Sequence, residues 1–520
     1  MTDLKFRHLQ HFGHHRRAPT IFYAGAEAAC IFAAHIVALW WLYDLTTLPI
    51  GVDGLYHYVI ASKLSFSNPA PDIDALPFTL LGPNGPDHHW LIHWLQKLVL
   101  SPFQDREQGI AIATLVWAAL LPAALSILLR LDAIPFAALI ATIAFWCLFI
   151  LPERYLMFRA QNVAVIATVG ITLLMVNKKY WLLSFSVFLF NHAYQGVILV
   201  GAAGFAYLIA NYYVSRNIDL KAVIFSLAGF TLSLLSSPWF PDNISYFVSM
   251  MLGRLISPFD DIDLLGSEWL RLDWLTIVEY GLVAHLCVIF SMIVIIASRK
   301  ELKANPSMLR LVSFYILSLI FLLLYARHWR MGEFYGPIAA ITFGCAIASL
   351  RNAHGFLVKC AITTLAVITI AHQIYASPPL RLSAQPTQLC ETVRKYTPAN
   401  HTIFNLSWSR FTKLYYCTSE PKYVSGLDGL LLMLGNPLVF EAWYLLRENA
   451  TETLNPAEVE RLFLETRTRF VVLQPEHTVS HAWIIRHIRG ATIVPTDEEG
   501  GLIGIDLSLL SDIHNTTKTK

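Results

Sequence analysis

Residues 20–43, TIFYAGAEAACIFAAHIVALWWLY, decide the fold class. The run is apolar for the length a helix needs to cross the roughly 30 Å of bilayer hydrocarbon. Bases precede it, from Lys5 and Arg7 through Arg16 and Arg17, and no short apolar region with a small-residue cleavage site lies between. That pattern predicts a basic tail over 1–19 and a first membrane helix that stays in the chain.

Ten further segments repeat the signal at 109–130, 133–151, 162–177, 181–194, 196–214, 220–238, 275–297, 309–326, 336–350 and 355–375. The expectation is therefore a polytopic α-helical membrane protein with about eleven transmembrane helices. Composition agrees: 55% of residues are hydrophobic and 14% charged, where a soluble chain carries about a quarter charged. A net charge of +2 gives no reason to expect nucleic acid as a partner. Ordinary soluble composition returns after about residue 400. The domains read as the tail 1–19, a membrane domain 20–375 with a long first loop at 44–108, and a soluble domain 376–520.

Lys and Arg fall in every second loop, at Arg130, Lys178 and Lys179, Arg216 and Lys221, Arg299, Lys300 and Lys303, and Arg351 and Lys359. Cytoplasmic loops carry this excess. An odd number of spans then puts the C-terminal domain outside, periplasmic if the membrane is a bacterial inner membrane. That domain reads α/β, with helices at 387–396, 409–416, 438–448 and 456–466, strands at 402–406, 422–425 and 469–473, and a hairpin-like end near 498–501. Cys390 and Cys417 lie in it. Spacing leaves them free or paired, and pairing would require an oxidising compartment.

The sharpest local signal is Gly51-Val52-Asp53-Gly54-Leu55-Tyr56-His57-Tyr58. Asp53 and His57, four apart, share one helix face. They suit a carboxylate that orients or deprotonates a hydroxyl or amide, with Tyr56 as a contact; a turn aspartate capping a short helix is the plainer reading. Next comes Gly82 to Trp90, with Asp87, His88 and His89, continuing to His93. His89 and His93 at i, i+4 suit a metal or a phosphate, so a divalent metal is one expectation. A polar-substrate contact and an interfacial helix with Trp90 and Trp94 at headgroup level are the others. Basic loops at 152–162 and 327–337 hold Glu153, Arg154, Arg159, Arg327, His328, Arg330 and Glu333. Arginine presents paired donors to phosphate oxygens; local pairs, Arg154 with Glu153 or Arg330 with Glu333, are the alternative. The loop 239–274, with Asp260, Asp261, Asp263 and Glu268, reads as a lid or as a solvated acidic turn. The spans are nearly free of ionisable groups, His35 excepted, which speaks against a transport path. No P-loop, nucleophile elbow, H-E-x-x-H or C-x-x-C motif occurs. Asn405-Leu406-Ser407 and Asn449-Ala450-Thr451 match glycosylation sequons.

The ordered set, a basic start, one span, a long loop with an early Asp, many spans and an external α/β domain, resembles the GT-C class of membrane glycosyltransferases. That class includes oligosaccharyltransferase catalytic subunits, protein O-mannosyltransferases and the aminoarabinose transferase of lipid A. The resemblance implies that Asp53 is the catalytic or acceptor-orienting acid, with His57, Asp87 and His88 behind it. It implies two amphipathic helices in the first loop, for which 56–64 and 89–100 fit. It implies a polyprenyl-phosphate- or polyprenyl-pyrophosphate-linked sugar as donor, its phosphate held by Arg154, Arg159, Arg327, His328 and Arg330. Acceptor contacts would come from Tyr56, His89, His93 and Glu333. The acceptor would be a glycan, lipid or protein beside the bilayer. No W-W-D-Y-G sequence is present, which disfavours N-glycosylation, and no second acid pair of the metal-dependent members is evident. The segments 404–408 and 423–428 resemble bacterial membrane proteins of this type. The rival expectations are a flippase for lipid-linked saccharides and a non-enzymatic scaffold.

Overall fold

The computed structural model describes residues 17–43, 45, 48, 49, 51, 53–70, 73–82, 85–148, 151–256, 271–298, 306–350, parts of 360–373, 388–397, 399, 401–427, 429–495 and 501–510. The chain forms two compact units. A helical unit comprises Met1–Leu45, Ala111–Ser233 and Trp269–Arg381; the other comprises Thr46–Ile110, Leu234–Glu268 and Leu382–Lys520.

Among the described residues, five helices are long and apolar enough to cross a bilayer: Ile21–Leu42, Glu107–Leu131, Val197–Ser215, Pro306–Arg327 and Trp329–Leu350. A sixth is the pair Trp274–Tyr280 and Leu282–Ala297, bent by 80°. The bend falls at Gly281, where a residue of poor helix propensity separates the two halves. Three expected spans are shorter apolar helices, Ala137–Trp146, Gln161–Val176 and Leu220–Leu235, and a fourth is Tyr180–Ala193. The fold class is as expected, a polytopic helical membrane protein with a C-terminal sheet region, but length alone supports fewer spans than eleven among the described residues. Much of 355–375 lies outside them.

At the centre of the helical unit lies Gly332–Leu350, buried along nearly its whole length and packed on Pro306–Arg327, Leu282–Ala297 and Ala137–Trp146. Small residues make that approach possible, as in membrane helix pairs generally. A Cβ at Gly336 would collide with the Leu148 and Cys147 side chains. Charge collects at helix ends, where the cost of hydrocarbon is avoided. Arg310 pairs with Asp132 at 2.5 Å, and Asn177 Nδ2 donates to the same carboxylate at 2.6 Å. Asp219 accepts from the Tyr180 and Tyr207 hydroxyls at 2.8 and 2.7 Å.

The second unit is built on a five-stranded sheet of β1 Thr402–Asn405, β2 Lys422–Tyr423, β3 Thr468–Val472, β4 Ala491–Val494 and β5 Leu502–Ile505. The order is β2-β1-β3-β5-β4, parallel across β2, β1 and β3 and antiparallel beyond. β4 and β5 are the two arms of the expected hairpin. The strands are apolar on both faces, so both must be covered. Phe404, Val471, Ile503 and Ile505 face a core with Trp443, Phe463 and Ile484, supplied by helices Pro437–Arg447, Pro456–Glu465 and Thr478–His487. The alternate residues Ile403, Phe470, Val472 and Leu502 face a core made with Phe411, Tyr415, Tyr56, Ile60, Leu76 and Leu81.

Eight of the 23 buried residues of that second core thus come from the first loop, which the sequence places in the membrane domain. Its backbone joins as well: the Tyr423 N–H donates to Ala75 O at 2.7 Å, and the Leu80 N–H to Leu431 O at 2.8 Å. Gly435 lets the Thr79–Leu80 backbone lie against it; a Cβ there would overlap that backbone. Cys390 and Cys417 form a disulfide with Cα atoms 5.6 Å apart, a normal separation. Asn405 is no glycosylation acceptor in this fold. It is fully buried, its Nδ2 donates to Ser425 O at 2.6 Å, and its backbone carbonyl accepts from Trp443 Nε1 at 2.9 Å.

Candidate functional site

Asp53 opens the helix Asp53–Lys63, half-buried in its first turn. A carboxylate there meets the positive end of the helix dipole. One turn later His57 faces inward, 6% exposed. The loop 85–89 leads into a second helix, Trp90–Leu100, packed on the first. Its pattern is amphipathic: Ile92, His93 and Gln96 are buried, whereas Leu95 and Leu98 are exposed. Trp90 and Trp94 donate their Nε1 protons to Pro69 O, and Phe66 leans on Trp94.

Between the two helices three side chains form a continuous hydrogen-bonded chain. Asp87 Oδ2 lies 2.5 Å from His93 Nδ1, and His93 Nε2 lies 2.8 Å from His57 Nδ1. The other oxygen, Oδ1, accepts the His89 N–H at 2.9 Å. A carboxylate accepts only, so His93 Nδ1 carries a proton. One further proton lies between the two rings. Burial alone would raise the Asp87 carboxyl. The attraction and hydrogen bond of His93, the charge of His88 and the His89 N–H outweigh it and hold the group below its ordinary value.

Other groups close around this chain. The His88 ring meets that of His89 at a tilt, with ring centres 4.0 Å apart, and its Nδ1 lies 3.3 Å from the Tyr246 hydroxyl. Tyr56 is fully buried against His57 and His93, and burial with the nearby Asp87 charge pushes its hydroxyl well up. Lys63 Nζ donates to the Tyr415 hydroxyl at 3.0 Å, and burial lowers its pKa. Tyr246, Tyr415 and Lys63 were missed from sequence. For Tyr246 a signal existed: Asn243, Tyr246 and Met250 are buried at helical spacing in Asp242–Ile256, within what reads as an open loop. The lid acids Asp260, Asp261, Asp263 and Glu268 lie outside the described residues.

The metal expectation finds no cage. Among the described residues no group of three or more His, Cys, Asp or Glu is placed to hold an ion. His93 commits both ring nitrogens, one to Asp87 and one to His57, so it has no lone pair to share with His89 toward a common cation.

The arginine set belongs to the helical unit. Arg154 sits on the short helix Leu151–Tyr155, and its Nε donates to Glu333 Oε1 at the start of Gly332–Leu350. Its guanidinium lies over the Trp329 ring at 5.1 Å, and the Tyr155 hydroxyl donates to Glu333 O at 2.9 Å. The two basic loops, far apart in sequence, therefore meet. The ion pair that the structure gives Arg154 is with Glu333 of the other loop. Arg159 is 3% exposed beside Met157, and its carbonyl accepts from Trp117 Nε1. Arg327 ends its helix exposed, with His328 and Arg330 half-buried after it. Glu153 is half-buried, and burial pushes its carboxyl up to about 7.

No protein-family model matches the chain, and no curated protein sequence does. Among solved structures its fold is that of ArnT from Cupriavidus metallidurans bound to undecaprenyl phosphate, with a TM-score of 0.54 at 11% identity, covering 92% of this chain and 98% of that one. At that identity the likeness is one of fold.

Proposed function

We propose that the chain is a membrane glycosyltransferase of the GT-C class that moves a sugar from a polyprenyl-phosphate- or polyprenyl-pyrophosphate-linked donor to a glycan, lipid or protein acceptor. The observation that carries this is the fold it shares, over nearly the full length of both chains, with a protein crystallised on undecaprenyl phosphate. The alternating Lys and Arg bias supports an extracytoplasmic reaction, and the Cys390–Cys417 disulfide suits an oxidising compartment such as the periplasm.

The residue types fit the chemistry. A sugar leaving a phosphate deposits negative charge on it, and fixed cations stabilise that charge as it develops. Arg154, Arg159, Arg327 and Arg330 supply cations in the helical unit, and His328 adds a ring N–H donor. An acceptor must be oriented and relieved of a proton as its bond to the anomeric carbon forms. Asp53 orients it, with His57, His88 and the aromatic and imidazole rings of Tyr56 and His89 alongside.

The test is transfer by the purified full-length chain in liposomes from radiolabelled polyprenyl-phosphate and polyprenyl-pyrophosphate sugars, with and without a chelator. Wild type should release or transfer sugar. Asp53→Asn should lose the activity by about 10²-fold or more while still binding the lipid. Equal turnover by wild type and variant would remove Asp53 from the reaction.

A further inference from the structure

We propose that the crevice at the carboxyl ends of β1 and β3 is a phosphate-binding site, where Arg410, Arg447 and the His477 ring N–H meet the anion beside the first turn of the helix Trp408–Cys417. The site stands apart from the sugar-transfer chemistry. The strand order makes the place. β1 and β3 are parallel neighbours in β2-β1-β3, and the Leu406 N–H donates to Val472 O at 3.0 Å where they end. The chain leaves β1 into Trp408–Cys417, which packs on one face of the sheet through Phe411 and Tyr415. It leaves β3 into Thr478–His487, which packs on the other face through Ile484. Neighbouring strands whose connections part in this way open a crevice beyond their carboxyl ends, and ligands of open α/β sheets bind there.

Donors converge on it from three elements. The helix Trp408–Cys417 starts at Ser407 with no side-chain cap, and its first turn turns N–H groups and a positive dipole toward an anion. Arg410 stands in that turn. Arg447 ends the helix Pro437–Arg447 with its guanidinium over the Trp443 ring at 5.2 Å, and Trp443 Nε1 donates to Asn405 O, the last residue of β1, at 2.9 Å. His477 follows β3 and is 3% exposed. The Gln474 N–H donates to its Nδ1 at 2.9 Å, so the neutral ring carries its proton on Nε2. No acceptor meets that buried N–H among the described residues. Burial, with the charges of Arg447 and Arg410, outweighs the pull of Glu476 and lowers the His477 pKa, which keeps the ring a neutral donor and sets both guanidiniums near it. Glu448 stands 3.8 Å from Arg447 at the rim, and Glu476 is exposed. A local ion-pair network has no use for a leftover imidazole N–H. Two guanidiniums, each with paired donors, suit a phosphate group of about two negative charges.

The experiment uses the full-length protein in phosphatidylcholine nanodiscs and phosphate-free buffer. It is titrated by calorimetry with inorganic phosphate and with glucose 1-phosphate, and glucose is the control. Wild type should bind at least one of the phosphates saturably and glucose not at all. Tighter binding of glucose 1-phosphate identifies a phosphate ester as the ligand, and the reverse identifies free phosphate. Arg410→Gln and Arg447→Gln should each weaken binding about tenfold or more, the worth of a hydrogen bond to a charged group. His477→Leu should weaken it about fivefold, and His477→Gln, whose amide still donates, should restore part of that. Glu448→Gln removes a competing charge at the exposed rim and should tighten binding, so it tests the site even where an arginine variant melts early. No binding of either phosphate, or an affinity that neither Glu448→Gln nor the arginine variants move, overturns the site. The titration involves no sugar transfer, so a failure here leaves the transferase reading standing, and a failed transfer assay leaves the phosphate site standing.

Discussion

Glu153 does not behave as an ordinary surface carboxylate. Its carboxyl loses enough water on folding to titrate at about 7, against an ordinary 4.5. A folded-state value above the unfolded one means that the native chain holds the proton more tightly. The stability this contributes is complete below about 4.5 and is lost as pH rises through 7. Glu153→Gln carries a permanent neutral amide in the same shape. It should melt above wild type at pH 8 and level with it at pH 4, by thermal unfolding in detergent. The side chain is half-exposed, so the gap will be modest. A gap of the same size at both pH values would mean that charge is not its cause. Asp87 has the opposite sign: its folded value is depressed, so its contribution is present above 3.8 and lost as pH falls through the lower native value. Much of the second unit's cluster was legible at this scale, because Asp53 with His57 and His89 with His93 sit at i, i+4. The contact of His88 with Tyr246, 158 residues away, was not: helical spacing can mark Tyr246 as buried, but no local pattern encodes a contact of that range.

At the scale of elements, the Arg154–Glu333 pair joins the short helix Leu151–Tyr155 to the most buried helix of the membrane unit. Both side chains are nearly inaccessible, at 5% and 3% exposure. Losing one partner of such a pair strands a buried charge and costs about 3–5 kcal/mol, whereas replacing both with apolar groups of similar volume is close to neutral. Arg154→Met and Glu333→Leu should each lower the melting temperature, and the double variant should recover most of the loss. If Arg154 also serves the donor phosphate, the recovered double variant will still fail to transfer sugar. Full transfer by that variant would reduce the pair to a strut. Sequence reading placed these two loops correctly as basic and adjacent to spans, but it looked for partners within each loop. It read β1, β3 and the terminal hairpin well, because apolar runs bounded by turn residues are strand signals. It missed Thr478–His487 and Gly429–Gly435, the first because polar residues interrupt its stripe, the second because a short apolar run has no period of its own.

For the whole molecule, the consequential fact is that the sheet's second face is closed by chain from the first loop. Composition marks 376–520 as soluble, and by composition alone it should fold independently. Its core says otherwise. Ile403, Phe411, Tyr415, Tyr423, Phe470 and Leu502 are all buried in one cluster with Leu55, Tyr56, Val59, Ile60, Leu76 and Leu81. A fragment spanning 382–520 would leave that face in water, a patch of the size that drives association. Expressed alone it should aggregate or show poorly dispersed amide resonances, even with the Cys390–Cys417 bridge formed. Joined through a flexible linker to residues 46–110 it should become monodisperse. Leu76→Ala in the joined protein should cost about 2–5 kcal/mol, the range for emptying a buried leucine site. A well-folded, soluble 382–520 would show that the loop merely rests on a complete domain. The functional reading gains from the predicted outcome, because the helix that carries Asp53 and His57 would then be fixed by the packing of an entire α/β core. A loop tethered only at its ends to two spans could not hold a hydrogen-bonded histidine chain in register.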